Sequence, residues 1–160
     1  MADMLVRLYD LPEVTPRLDQ LAAEGLVIRR AEPWEQEVLR RFCVTSFSEK
    51  WAQEGSVAFA RVPISLFIAQ DQESRQLVGF CAYECTRPDF VGPMGVAEAY
   101  RRRGIGAALL LVCLHAMAVL GYAYAIIGAG SGHSDFYGSV CGATVIAGSE
   151  PGVYRYPVAE

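Results

Sequence analysis

The segment Tyr100-Arg101-Arg102-Arg103-Gly104-Ile105-Gly106-Ala107 concentrates chemistry more than any other part of the 160-residue chain. Two glycines flank Ile105, just ahead of an apolar run that reads as a helix. A helix starting there presents unpaired backbone N–H groups and the positive end of its dipole, and glycine lets an anion approach that backbone closely. A pyrophosphate fits this description. Two familiar nucleotide sites are excluded by the same residues. A dinucleotide fingerprint needs a third glycine at position 109, where Leu stands, and a phosphate loop needs Gly-Lys-Ser/Thr, which does not occur after this turn.

Strands and helices on either side must hold this turn. Ahead of it, FVGPMGV (90–96) reads as a strand. Its Gly92, Pro93 and Gly95 suit a fully paired strand poorly, because proline cannot donate to the ladder and glycine packs nothing, so a bulge or splay is expected there. After it, residues 104–120 form a helix that is apolar on nearly every face and must be covered on most sides. YAYAIIG (122–128) comes next as a buried strand, giving a strand, helix, strand unit that predicts a parallel, right-handed connection. Upstream, the pattern predicts a short strand from Leu5 to Tyr9, a helix from Pro16 to Glu24, and a strand over 26–31. An amphipathic helix over 33–48 carries Val38, Leu39, Phe42 and Phe47, and a second short helix lies around 48–61. Residues 64–70 and 76–85 read as an antiparallel hairpin. A short helix over 134–140 and a final strand pair between Thr144 and Tyr156 complete the chain.

Composition bounds the function. With 52% hydrophobic and 20% charged residues, the chain has the makings of one well-packed domain. A formal charge of −4 gives no overall field for nucleic acid or anionic lipid, so an anion must be held by a local site. Cys43, Cys81, Cys85, Cys113 and Cys141 form no C-x-x-C pair and mostly sit in apolar runs, which reads as buried free thiols in a reducing compartment. His115 and His133 do not supply recognisable metal-ligand spacing, and no metal is expected. Residues 104–132 contain no Asp, Glu, Lys or Arg, but glycines and His115 interrupt the run, so a buried helix and strand explain it better than a membrane span. The first residues carry acids early and form no secretory signal, which makes cytoplasm the expected location.

The pattern R-x-x-G-x-G at a strand-to-helix turn resembles the pyrophosphate-binding motif of the GNAT superfamily of acyl-CoA-dependent N-acetyltransferases. The surroundings strengthen the likeness: Val96 and Tyr100 precede Arg101, a long apolar helix and a buried strand come after it, and Phe136-Tyr137 opens a short helix where the family shows F-Y-x-x-x-G-F. The resemblance implies an α/β fold, a mixed, mostly antiparallel central sheet with a splayed parallel strand pair, flanked by helices. It covers Leu26 to Tyr156, so residues 26–160 read as a single N-acetyltransferase domain and 1–25 as an N-terminal extension outside the common core. After the strand at 122–128, GAGSGHS stands where many members place an Asn that holds pantetheine.

The same resemblance implies the roles of the site residues. Acetyl-CoA would be the co-substrate, with pantetheine contacts from the backbone of Met94, Gly95 and Val96. Pyrophosphate contacts would come from Arg101, Arg102, Arg103, Gly104, Ile105, Gly106 and Ala107. The reaction is direct attack of a neutral primary amine, from a small molecule or peptide, on the thioester carbonyl. Tyr137 is the family-matched acid for the departing thiolate. For the base, Glu84 breaks the apolar alternation of Val78, Phe80 and Ala82 and would point into or beside the cleft; His133 or a water chain are alternatives. Phe47, Trp51 and Phe67 either wall an acceptor cleft or belong to the core. A non-catalytic acyl-CoA-binding sensor is the rival reading. Neither nucleic acid nor membrane is expected as a partner, and a homodimer is compatible.

Overall fold

The computed structural model describes residues 1–156, 158 and 159. Its strands are β1 (Met4–Arg7), β2 (Leu26–Arg30), β3 (Leu66–Asp71), β4 (Leu77–Tyr83), β5 (Val91–Val96), β6 (Tyr124–Ile127) and β7 (Thr144–Val145). The helices are α1 (Thr15–Ala23), α2 (Gln36–Ser46), α3 (Glu49–Ser56), α4 (Ile105–Val119) and α5 (Ser134–Cys141). Two sheets form, β2-β3-β4-β5 and β6-β1-β7, and every ladder in both is antiparallel. This is a mixed α/β fold.

α4 explains the arrangement of the layers. Ile105, Ala107–Leu111, Cys113, Leu114 and Met117 are buried, so the helix has almost no face to give to water. It packs against β3, β4 and β5 and also touches α1, α5 and β6. The opposite face of the four-stranded sheet carries α2 and α3 over Phe80, Ala82, Leu66 and Ile68. Ser48 caps α3 by accepting from the Trp51 N–H at 3.2 Å, which begins that helix close behind α2.

β5 behaves as its composition requires. It is the edge of its sheet, where a proline is tolerated, and its register against β4 slips between Cys81 and Tyr83, so that Gly92 and Pro93 fall at the irregularity. The expected parallel pair is reduced to one bridge, Phe90 to Ile126, with the Ile126 N–H donating to the Asp89 carbonyl at 2.8 Å. Beyond that bridge β5 and β6 pair no further, and a cleft opens between them.

Residues 1–25, read as an N-terminal extension to the family's common core, contribute to the hydrophobic core: β1 is the middle strand of its sheet, and Met4, Val6, Leu8 and Leu21 are buried with α4. A five-residue strand signal at the start of a chain cannot reveal which strands will flank it. The final strand pair is only the two residues of β7, since the glycines and prolines after Ile146 favour turns, and Asp3 ties that segment down instead. In β4 a bulge against β3 turns Val78 towards the α4 side while Phe80 and Ala82 face α2 and α3, which breaks the expected common face. Among the described residues, no helix is long and apolar enough to cross a membrane, and no group of three His, Cys, Asp or Glu could hold a metal ion.

Candidate active site

The cleft between β5 and β6 has a volume of about 900 Å³. One end is the turn into α4. Arg102 and Gly104 both take positive φ, +62° and +81°, which bends the chain so that the first N–H groups of α4 meet the cleft. For Gly104 this costs little; for Arg102 it is a strained conformation held at a ligand-facing turn. Two side chains brace the turn. The Arg101 Nε–H donates to the Val96 carbonyl at 3.1 Å, and the Tyr100 hydroxyl donates to Asp71 at 3.0 Å, anchoring the segment to the β3–β4 hairpin. N–H bonds from Ser74 and the Tyr100 hydroxyl hold the Asp71 carboxyl below the usual carboxylate range.

Gly106 is where three elements meet. A Cβ built on it would stand 3.7 Å from each of Met94 Cε and Val96 Cγ2 of β5 and Phe136 Cζ of α5. The protein tolerates such an atom, since 3.7 Å is an ordinary van der Waals contact. Arg101, Arg102, Gly104, Ile105, Gly106 and Ala107 line the cleft together with Met94, Gly95 and Val96. Arg103 does not line it. Its guanidinium pairs with Glu24 at 3.3 Å and lies 5.4 Å from the Tyr100 ring centre, so its side chain buttresses the turn against α1.

Tyr137 also lines the cleft, one turn into α5. Burial pushes its phenol up to about 12, with Cys81 and Cys141 nearby, so it stays protonated. Glu84 lies outside the cleft: at φ +56° the chain turns, and its carboxylate accepts the Tyr122 hydroxyl at 2.5 Å, latching the end of β4 to the segment after α4. That bond pushes Tyr122 up to about 12. Alternation placed Glu84 in or beside the cleft; the structure leaves it out of the lining, past the point where β4 slips register at Cys81 and Tyr83.

The far end of the cleft is walled by Phe47 and Trp51, two of the three aromatics the sequence offered for an acceptor cleft. Lys50 and Glu54 of α3, Thr86 and Tyr154 join them with no warning in the sequence. Glu54, half-buried, accepts the Thr86 hydroxyl. Phe47 and Trp51 face each other with ring centres 5.0 Å apart, and the Phe47 ring lies so close over Gly95 that a Cβ there would collide with it. Phe67 is elsewhere, beneath Arg30 at 4.5 Å, and belongs to the core. Across the cleft, Gly128, Ala129, Gly130 and His133 complete the wall. Asp3 holds this stretch by accepting the Ala129 N–H at 2.7 Å, and Ser131 bonds Ala2 in both directions.

Comparison with known proteins agrees with this geometry. Residues 63–139 match the family model described as the acetyltransferase (GNAT) domain, a span that runs from the β3–β4 hairpin through the α4 turn to α5. The fold is shared with solved acetyltransferases. A glucosamine N-acetyltransferase region of a fungal multi-domain β-N-acetylglucosaminidase superposes with a TM-score of 0.71 at 18% identity, covering 91% of this chain and 19% of that one. A GCN5-related N-acetyltransferase from Sphaerobacter thermophilus gives 0.58 at 20% identity, over 79% of this chain and 41% of that one. Another from Kribbella flavida gives 0.58 at 17% identity, over 90% and 53%. The chain thus spans about half or less of the length of these structures. No protein of curated function matches the sequence. Over residues 63–139 the chain is thus similar to the acetyltransferase (GNAT) domain, and its fold is the one these solved structures share.

Proposed function

We propose that the chain transfers the acetyl group of acetyl-CoA to a primary amine by direct attack within the β5–β6 cleft. The observation that carries this reading is the meeting at Gly106 of the α4 N-terminus, the unpaired edge of β5 and α5. The first N–H groups of α4, with Arg101 and Arg102 beside them, suit the diphosphate, and the free edge from Met94 to Val96 suits the amide groups of pantetheine. A thioester supplies an electrophilic carbonyl, and the residues around it divide the remaining work. A β5 N–H stabilises the oxyanion. Glu54 takes the proton that the ammonium must lose before attack, and Tyr137 donates a hydrogen bond to the sulfur as the C–S bond breaks. With its phenol at about 12, Tyr137 is a poorer match to a thiol near 8.5 than an ordinary tyrosine near 10 would be, so it shares its proton with the thiolate rather than surrendering it early. Cleft residues able to serve in transfer favour an enzyme over a sensor that only binds acyl-CoA.

Acceptors are small molecules or peptides bearing a primary amine; the glucosamine named for the fungal region above is one to include. Cytoplasm supplies both acetyl-CoA and the reducing conditions that the free thiols require. The test has two stages. Acetyl-CoA at a hundredfold excess over Kd raises stability by about 2.7 kcal/mol, seen as a higher Tm. Release of free CoA is then measured across a panel of amines. An unchanged Tm with no heat of binding overturns the cofactor assignment; binding without release on any amine overturns the transferase assignment.

A further inference from the structure

The acceptor end of the cleft carries one cation and one anion on the same helix face. Lys50, the only lysine in the chain, and Glu54 stand one turn apart on α3 and both line the cleft, with Trp51 beside them. Residues four apart on a helix have Cβ atoms about 5–6 Å from each other. Among the described residues neither Lys50 nor Glu54 makes an ion pair, although six ion pairs form elsewhere. The Lys50 ammonium sits 4.7 Å from the Tyr154 ring centre, and Glu54 is held by the Thr86 hydroxyl, so each charge is positioned by a neighbour rather than by the other.

We propose that the acceptor is an amino carboxylate: its ammonium is received by Glu54, its carboxylate by Lys50, and its apolar side chain by Phe47, Trp51 and Tyr154. The inference rests on the transferase reading above and adds the substrate class. A group with amine and carboxylate on the same or neighbouring carbons can reach both charges with ordinary hydrogen bonds of about 2.8 Å. Other amines fit less well. A polyamine brings a second ammonium against Lys50, a peptide N-terminus replaces the carboxylate with a neutral amide, and an amino sugar leaves Lys50 without an anion.

The experiment compares matched acceptors by CoA release at saturating acetyl-CoA: phenylalanine and leucine, their primary amides, glucosamine and a polyamine. The free amino acids are expected to exceed their amides by about tenfold or more in kcat/KM. Lys50→Met brings that ratio towards one, Lys50→Arg restores it, and Glu54→Gln lowers kcat for every acceptor. Acetyl-CoA affinity, measured by calorimetry, stays at the wild-type value in all three variants. Equal rates for acids and amides, a preference for glucosamine or polyamine, or an unchanged ratio in Lys50→Met overturns the inference while leaving the transferase reading intact. Loss of CoA release with every amine, or no binding of acetyl-CoA by the wild type, overturns both.

Discussion

Tyr137 illustrates what burial does to a candidate acid. A phenol pushed up to about 12 by desolvation is protonated at neutral pH, so in the proposed reaction it offers a hydrogen bond where negative charge develops on sulfur. Tyr137→Phe removes that hydroxyl and keeps the ring. It is expected to lower kcat by about 10- to 10³-fold with acetyl-CoA affinity nearly intact, measured by steady-state rates and calorimetry. In the wild type, ionisation of this phenol cannot bend the kcat profile near pH 10, where an ordinary tyrosine would lose its proton. A Phe variant turning over at the wild-type rate while chemistry limits kcat removes Tyr137 as the donor. The motif points to Tyr137 because its local helix position is legible from neighbouring residues. Glu84 misleads because its orientation depends on a ladder slip that no short stretch of sequence contains. Glu54 is invisible for a similar reason: a half-buried acid on a short helix differs in no local way from a solvated one until α3 is packed beside β5.

At the scale of elements, the α4 N-terminus and the β5 edge form the site together, and each owes its position to glycine. Gly106→Val should abolish acetyl-CoA binding and leave a folded protein, because the 3.7 Å spacings to Met94, Val96 and Phe136 accept a Cβ while the branched side chain fills the phosphate position. Circular dichroism and calorimetry on the same sample decide it; wild-type affinity would place the phosphates elsewhere. The strand, helix and turn here are readable because they rest on local rules: proline and glycine demote β5, and an all-apolar run demands a buried α4. The splay itself is tertiary. Pairing between β5 and β6 is a single bridge, from Phe90 just ahead of β5 to Ile126 of β6, and which strand lies beside β6 is settled by residues more than 100 positions apart in sequence.

Across the whole molecule, the N-terminal strand links stability to the site. β1 lies between β6 and β7, Met4 is fully buried, and Asp3 and Ala2 hold the Ala129–Ser131 stretch that walls the cleft. Met4→Ala is therefore expected to cost about 2–5 kcal/mol in urea unfolding, by loss of buried volume. It should also weaken acetyl-CoA binding, because the Met4 side chain packs beside Gly130. A cost below about 1 kcal/mol would show that the segment is dispensable to the core. Hydrophobic periodicity was enough, by itself, to predict an α/β layer of mixed strand directions, and the glycine-rich turn and the Phe136-Tyr137 pair carried the family resemblance that implies where an acyl-CoA diphosphate would go. Those are short-range properties, written in consecutive residues. Tertiary structure alone decided that residues 1–25 belong to the core, that Glu84 and Phe67 lie away from the cleft, and that Lys50, Glu54, Thr86 and Tyr154 meet at its far end. Each of these depends on strand neighbours and bulges, and a register change of one residue exchanges the two faces of a strand without altering its local pattern.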